Sequence, residues 1–167
     1  MFDVVHEIEQ RSAELGRKPR DQELGAFTRY LLELVGSTTA MDHYHARANV
    51  HRNSVRLMGS MTELDLLLTP ALGSDPIPVG TLDSNTDAFD YETWGEQGFE
   101  FAPFSYICNI TGQPAASLPV FLGKSEPPCA VQLAGQIGQD HRVLQVSAML
   151  ESELKWRACR PPIWAGD

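Results

Sequence analysis

The sixteen residues Phe104–Pro119, FSYICNITGQPAASLP, constrain the fold more than any other stretch of this chain. Phe104, Ile107, Cys108 and Thr111 recur with the 3-4 spacing of one helix face, and Gly112 then supplies the left-handed residue that stops a helix. Gln113, held extended by Pro114, starts the next element. Ala115 to Val120 is short, small and apolar, which suits a buried strand that a helix can approach closely, and Pro119 marks where the strand leaves the sheet. The stretch predicts a helix that runs through a Gly-x-Pro joint into a sheet.

The flanking sequence predicts what packs around that joint. Val4, Val5, Ile8 and Leu15 lie on one side of a first helix that Gly16 ends. A second helix is expected from about Gln22, capped by Asp21, with Leu24, Phe27, Leu31, Leu34 and Val35 inward and Gly36 past its end. Thr39-Ala40-Met41-Asp42 has the form of a capping box, and the helix it opens carries Met41, Tyr44, Ala48, Val55 and Met58 as its buried stripe. Asp65 to Thr69, stopped by Pro70, reads as a buried strand. Gly73 to Trp94 is rich in Pro, Asp, Ser, Asn and Thr, the composition of a long irregular segment, either a binding loop or a connector. Gly123 to Pro128 reads as a hairpin-like link, too short for a crossover, so Cys129 to Ala134 should pair antiparallel with Ala115 to Val120. Asp140 is placed to cap a last helix with Val143, Leu144, Ser147, Leu150 and Leu154 inward. The expected organisation is one domain over 1–167, mostly helical over 1–62 and sheet plus C-terminal helix over 63–167, with a long loop at about 71–98.

Composition removes several classes of function. With 167 residues and 43% hydrophobic content the chain can bury one ordinary core. A net charge of −9 with only three lysines argues against a nucleic-acid partner, whose phosphates are bound by clustered Lys and Arg. Cys108, Cys129 and Cys159 are odd in number and form no CxxC pair, which fits reduced thiols better than disulfides or zinc. The start, Met1-Phe2-Asp3, has no basic or apolar leader, and no apolar run reaches the ~18 residues of a membrane span. These features predict a soluble cytoplasmic protein without cofactor or metal.

Residue clusters with chemical potential are few. His43 and His45 lie two apart on a predicted helix and so point about 200° away from each other, which prevents them from sharing a metal ion. Cys108 falls on the buried face with nothing to depress its pKa. The Gly-Ser pairs at Gly36-Ser37, Gly59-Ser60 and Gly73-Ser74 form neither Gly-x-Ser-x-Gly nor a Gly-Gly-Ser-Ser-Gly loop, and no phosphate-binding loop occurs. The residues alone yield no catalytic set.

The run Phe-Ser-x-x-x-Asn-x-Thr-Gly-x-Pro-Ala-x-Ser-x-Pro, followed by Val131-Gln132-Leu133-Ala134-Gly135, resembles the C-terminal signature of the amidase signature family of serine amide hydrolases. Leu66-Leu67-Leu68-Thr69-Pro70 and Arg160-Pro161-Pro162 fall in the same order, and the resemblance extends from about Phe27 to Pro162. Ala130 departs from it, since the family usually has glycine there. The resemblance implies a partial amidase fold, α/β with a mixed sheet and helices packed on it. It implies carboxamide hydrolysis by a serine, a second serine in a cis peptide and a lysine, with backbone N–H groups of a Gly-Ser loop holding the oxyanion. All of those groups belong to the family's N-terminal half, and none of Lys18, Lys124 and Lys155 matches the lysine motif, so this chain is expected to carry no catalytic residue. That half would have to be supplied in cis or in trans. What the resemblance assigns to this region is part of the core sheet and one wall of the pocket for a small-molecule amide, at Phe101, Ala102 and Phe104. Glutamine-using relatives carry an acid where this chain has Ala102, which favours an apolar or aromatic amide here. Strand edges left bare by a missing half predict a homo-oligomer. The competing expectation is a non-catalytic remnant that binds or regulates.

Overall fold

A computed structural model describes residues 1–86, 88–121 and 127–156, with the backbone alone at Phe121. The link expected at Gly123–Pro128 lies largely outside the described residues, as do Cys159 and Arg160-Pro161-Pro162. Six α-helices are described: α1 (Phe2–Leu15), α2 (Ala26–Ser37), α3 (Ala40–Ser60), α4 (Tyr91–Phe101), α5 (Ser105–Thr111) and α6 (Asp140–Leu154). Three strands accompany them, β1 (Leu67–Pro70), β2 (Ala115–Phe121) and β3 (Cys129–Ala134). The chain forms two compact units, each built from two stretches of sequence: Met1–Ala48 with Pro78–Phe99, and Asn49–Ile77 with Glu100–Asp167.

In the first unit, α1 ends where Gly16 turns left-handed (φ 66°), as its sequence required. The helix expected from Gln22 starts later. Asp21–Glu23 is a short 3₁₀ turn, and α2 begins at Ala26 behind an extended Gly25. Glu23 explains the delay, because its carboxylate accepts from both arms of Arg17 (2.7 and 2.9 Å) and from the Arg20 N–H (2.9 Å), which ties the turn to the connector. The Arg17 bond and the Arg20 N–H lower the Glu23 pKa from 4.5 to about 2. A depressed carboxylate stabilises the fold above its unfolded pKa, and that contribution fades as pH falls through the folded value. We therefore expect the α1–α2 connector to loosen between about pH 4.5 and pH 2, read as accelerated amide exchange at Arg17–Leu24, and Glu23→Gln to abolish the pH dependence.

The same unit holds an aromatic cluster. Phe27 and Tyr30 of α2 meet Phe89, Tyr91 and Trp94, with Tyr30 stacked on Tyr91 at 4.7 Å and Phe27 tilted on Trp94 at 5.2 Å. The Trp94 indole N–H donates to Leu82 O, and the Phe27 N–H donates to Ser84 O, which fixes the 82–94 segment on α2. Among the described residues 71–90 contain no helix or strand, as expected, and the loop ends short of 98 because α4 begins at Tyr91. Asp90 accepts the Thr93 N–H and caps α4, a helix hidden in the sequence by Gly95, Gly98 and polar neighbours.

In the second unit the sheet has order β1-β3-β2, and both pairs are antiparallel. The parallel partners that would make the sheet mixed are not among the described strands. β1 starts at Leu67 rather than Asp65, because Asp65 is turned to the Arg142 guanidinium instead of entering the ladder. β2 runs past Pro119 to Phe121 through a register shift, the bulge that lets a strand absorb a proline. Leu118, Leu133 and Val143 of α6 form the buried centre, with Leu66, Ala116, Val131, Val146, Leu150 and Trp156 around it. A Cβ on Gly135 would stand 2.9 Å from Val143 Cγ2, so a glycine is needed where α6 crosses the end of β3.

Of two stripes expected to be buried, the one on α3 is not and the one on α6 is so only in part. The capping box forms as expected, with the Asp42 N–H donating to Thr39 Oγ1 (3.1 Å) and the Thr39 N–H to Asp42 Oδ2 (3.0 Å). Yet α3 has no buried residue, and Met41 (61%), Tyr44 (65%) and Val55 (58%) are exposed. On α6, Val143 is buried whereas Leu144 and Leu154 face outward. Helical periodicity names the apolar face of an element but not whether a neighbour covers it.

Candidate functional site

The joint that organises the sequence also organises the site. α5 closes at Gly112 in the left-handed conformation (φ 73°), whose N–H reaches Cys108 O at 2.9 Å. Gln113 is 7% exposed and donates from Nε2 to Gly135 O (2.9 Å) and Met61 Sδ (3.4 Å), while its Oε1 accepts from the Thr111 hydroxyl. One buried amide thus ties the helix-strand joint to the turn after β3 and to the end of α3.

Phe101 ends α4, Ala102 and Pro103 bridge, and Phe104 precedes α5, all half-buried. Two bonds hold this bridge. The Gly73 N–H donates to Phe101 O at 2.8 Å, and Gln132 Nε2 donates to Phe104 O at 3.4 Å. A Cβ at Gly73 would overlap Glu100 O and press on Pro103, so only glycine lets the segment after β1 lie this close.

Beside the bridge lies a cleft of about 450 Å³. Ser105, Ser117 and Gln132 are its polar groups on the sheet side, Ser74 and Asp75 stand on the segment after β1, and Pro70, Leu72, Pro127 and Pro128 give it apolar walls. Phe101, Ala102 and Phe104 adjoin this cleft through Ser105 but do not line it. In the sequence Gln132 stands out only as part of a motif. Its cross-strand partners Thr69 and Ser117 put three polar residues in one row, a pattern that becomes visible only once register is known.

Among the described residues none of the other nucleophile candidates hydrogen-bonds to the side chain of a histidine, lysine or acid. Cys108 is buried, its pKa raised by desolvation, and its sulfur lies 3.7 Å from Gln132 Nε2. The hydroxyls of Ser37, Ser60 and Ser74 donate to nearby backbone carbonyls at Leu34, Leu57 and Asp75. His43 packs on the Phe2 ring at 4.4 Å, and His45 lies against Tyr44. No helix among the described residues is long and apolar enough to cross a membrane.

This arrangement of helix, left-handed glycine, extended proline and antiparallel strands defines a segment of an amidase-type α/β fold. The Amidase family profile matches residues 2–144, and the chain belongs to that family. The 6-aminohexanoate-cyclic-dimer hydrolase of Paenarthrobacter ureafaciens is 33% identical over 96 residues, which cover 57% of this chain and 18% of that protein. The chain therefore spans a small part of the relative that it matches. Among solved structures, a 6-aminohexanoate cyclic dimer hydrolase superposes with a TM-score of 0.84 at 23% identity, covering 95% of this chain and 34% of the other. A bacterial aryl acylamidase of the amidase signature family superposes with a TM-score of 0.69 at 19% identity, over 95% of this chain and 34% of the other. Identities this low establish the shared fold.

Proposed function

We propose that this chain is the C-terminal part of an amide hydrolase that cleaves a carboxamide C–N bond to a carboxylate and an amine or ammonia. In this reading it contributes part of the core sheet and one wall of the substrate pocket, while the catalytic serines, the lysine and the oxyanion loop come from an amidase N-terminal half in cis or in trans. The supporting observation is the bridge Phe101–Phe104, anchored from two sides by Gly73 and Gln132 and carried directly into the signature joint. Family membership makes hydrolysis the favoured reading over a binding remnant. The name of the 6-aminohexanoate-cyclic-dimer hydrolase is consistent with an uncharged substrate, because a cyclic dimer of an amino acid has no free ammonium.

Phe101, Ala102 and Phe104 would form the wall. Without a carboxylate at Ala102, a substrate ammonium buried there would be unpaired, at a cost of several kcal/mol. The enzyme should then prefer aromatic or apolar amides to glutamine, and Ala102→Asp should move preference toward amine-bearing amides by about tenfold in kcat/KM, the equivalent of ~1.4 kcal/mol. Faster turnover of glutamine than of an aryl amide by the unsubstituted enzyme would overturn the assignment of this wall. The broad apolar exposure on α3 and α6 also supports assembly, either with the N-terminal half or between copies.

A further inference from the structure

The cleft beside the signature bridge has a hydrogen-bonding chemistry of its own. Gln132 is 8% exposed, and its Nε2 is engaged by Phe104 O and Cys108 Sγ. Those bonds hold the side chain in place, Gln132 lines the cleft, and its amide oxygen has no donor among the described residues. Ser105, at the first position of α5, and Ser117, opposite Gln132 across the β2–β3 pair, line the same cleft with hydroxyls that make no bond among the described residues. The sheet-side polar groups are thus one oriented acceptor and two rotatable hydroxyls, with no cation and with a single carboxylate, Asp75, on the segment opposite. Prolines and Leu72 supply the apolar walls, and the volume lies within the roughly 300–1,000 Å³ of small-molecule sites.

We propose that this cleft is a subsite for a neutral carboxamide group, with Gln132 Oε1 accepting the ligand N–H and the Ser105 hydroxyl donating to the ligand carbonyl. An ester or a carboxylate lacks the N–H and leaves the glutamine oxygen unpaired, while an ammonium meets only neutral acceptors on the sheet side. A site built around a buried acceptor rejects analogues lacking the donor more strongly than it rejects changes of apolar size. The subsite rests on the hydrolase reading for its biological ligand but not for its chemistry: it would hold an amide of the substrate beside the wall at Phe101–Phe104.

The test uses the full chain, isotopically labelled, titrated with benzamide, methyl benzoate and benzoate while amide resonances are followed. Benzamide should give saturable shifts at the Gln132 side-chain amide, Ser105, Ser117 and Ala130, and should bind at least tenfold more tightly than methyl benzoate or benzoate. Gln132→Met should remove that preference by weakening benzamide alone. Ser105→Ala should weaken benzamide several-fold, and it decides the matter if Gln132→Met fails to fold. Equal binding of amide and ester, shifts that do not saturate, or an unchanged benzamide affinity in Ser105→Ala would overturn the subsite. The outcome is separable from the hydrolase reading: amide binding without turnover after an N-terminal half is supplied would remove that reading and keep the subsite, and turnover without amide binding would do the reverse.

Discussion

The purified chain alone should hydrolyse no aryl or alkyl amide above the buffer rate, and supplying an amidase N-terminal half should raise the rate by many orders of magnitude. Amide hydrolysis at neutral pH needs an activated nucleophile together with preorganised oxyanion donors, and loss of the nucleophile leaves only what binding and the oxyanion hole provide. Here the family's serines, lysine and Gly-Ser loop have no counterpart in the sequence, so that residue of rate is lost as well. Among the described residues the geometry disfavours the internal alternatives. Burial pushes the Cys108 thiol pKa up, which disfavours the thiolate that attacks carbonyls. Ser60 donates to Leu57 O within its own helix, a bond that competes with donation to a base. The decisive measurement is turnover of an aryl amide panel by the chain, by Cys108→Ala and by Ser60→Ala. Activity that travels with the chain and vanishes in either variant would defeat this expectation and the division of labour behind it.

What was legible in the sequence was whatever local chemistry decides. Gly16 and Gly112 take left-handed conformations because no Cβ opposes them, and Thr39 and Asp42 cap reciprocally because their spacing permits it. Antiparallel pairing of β2 with β3 followed from the shortness of the link between them. Local signals failed where side-chain partners or covering elements decide. Asp21 should have capped a helix, but Glu23 was taken by Arg17 and Arg20. Met41, Tyr44 and Val55 carry the spacing of a buried face without a described element to cover them. α4 was concealed because two glycines and a polar composition weigh against a helix, while Asp90 and the aromatic cluster around Trp94 weigh for it.

The site was legible to a smaller degree for the same reason. The resemblance pointed to Phe101, Ala102 and Phe104 without saying what holds them. The answer lies about thirty residues away on each side: Gly73, whose missing Cβ lets its N–H reach Phe101 O, and Gln132, whose amide reaches Phe104 O. Neither has a local signal. A glycine in a Pro-, Ser- and Asp-rich segment reads as a turn, and a glutamine in an apolar strand reads as an interruption until the register sets it beside Thr69 and Ser117.

The same contrast between covered and uncovered apolar side chains sets the largest expected stability effect. Leu133, 3% exposed on the central strand β3, packs with Leu118 and Val143, whereas Leu144 on α6 is 67% exposed despite its place on the stripe read as inward. Leu133→Ala should cost about 2–5 kcal/mol through lost transfer energy and a cavity that only partly collapses. Against a typical domain stability of about 5–15 kcal/mol this is a large fraction, and at roughly 2–4 °C per kcal/mol for a chain of this length the melting midpoint should fall by about 4–20 °C. The margin is thin here, since no large side chain among the described residues is below 2% exposure. Leu144→Ala should stay within about 0.5 kcal/mol, as exposed substitutions do. Paired thermal unfolding of the two variants checks this. Equal destabilisation would mean that α6 buries its Leu144 face in solution, against a partner copy or another segment, and dilution would then separate the two cases, because only the intermolecular one weakens as concentration falls.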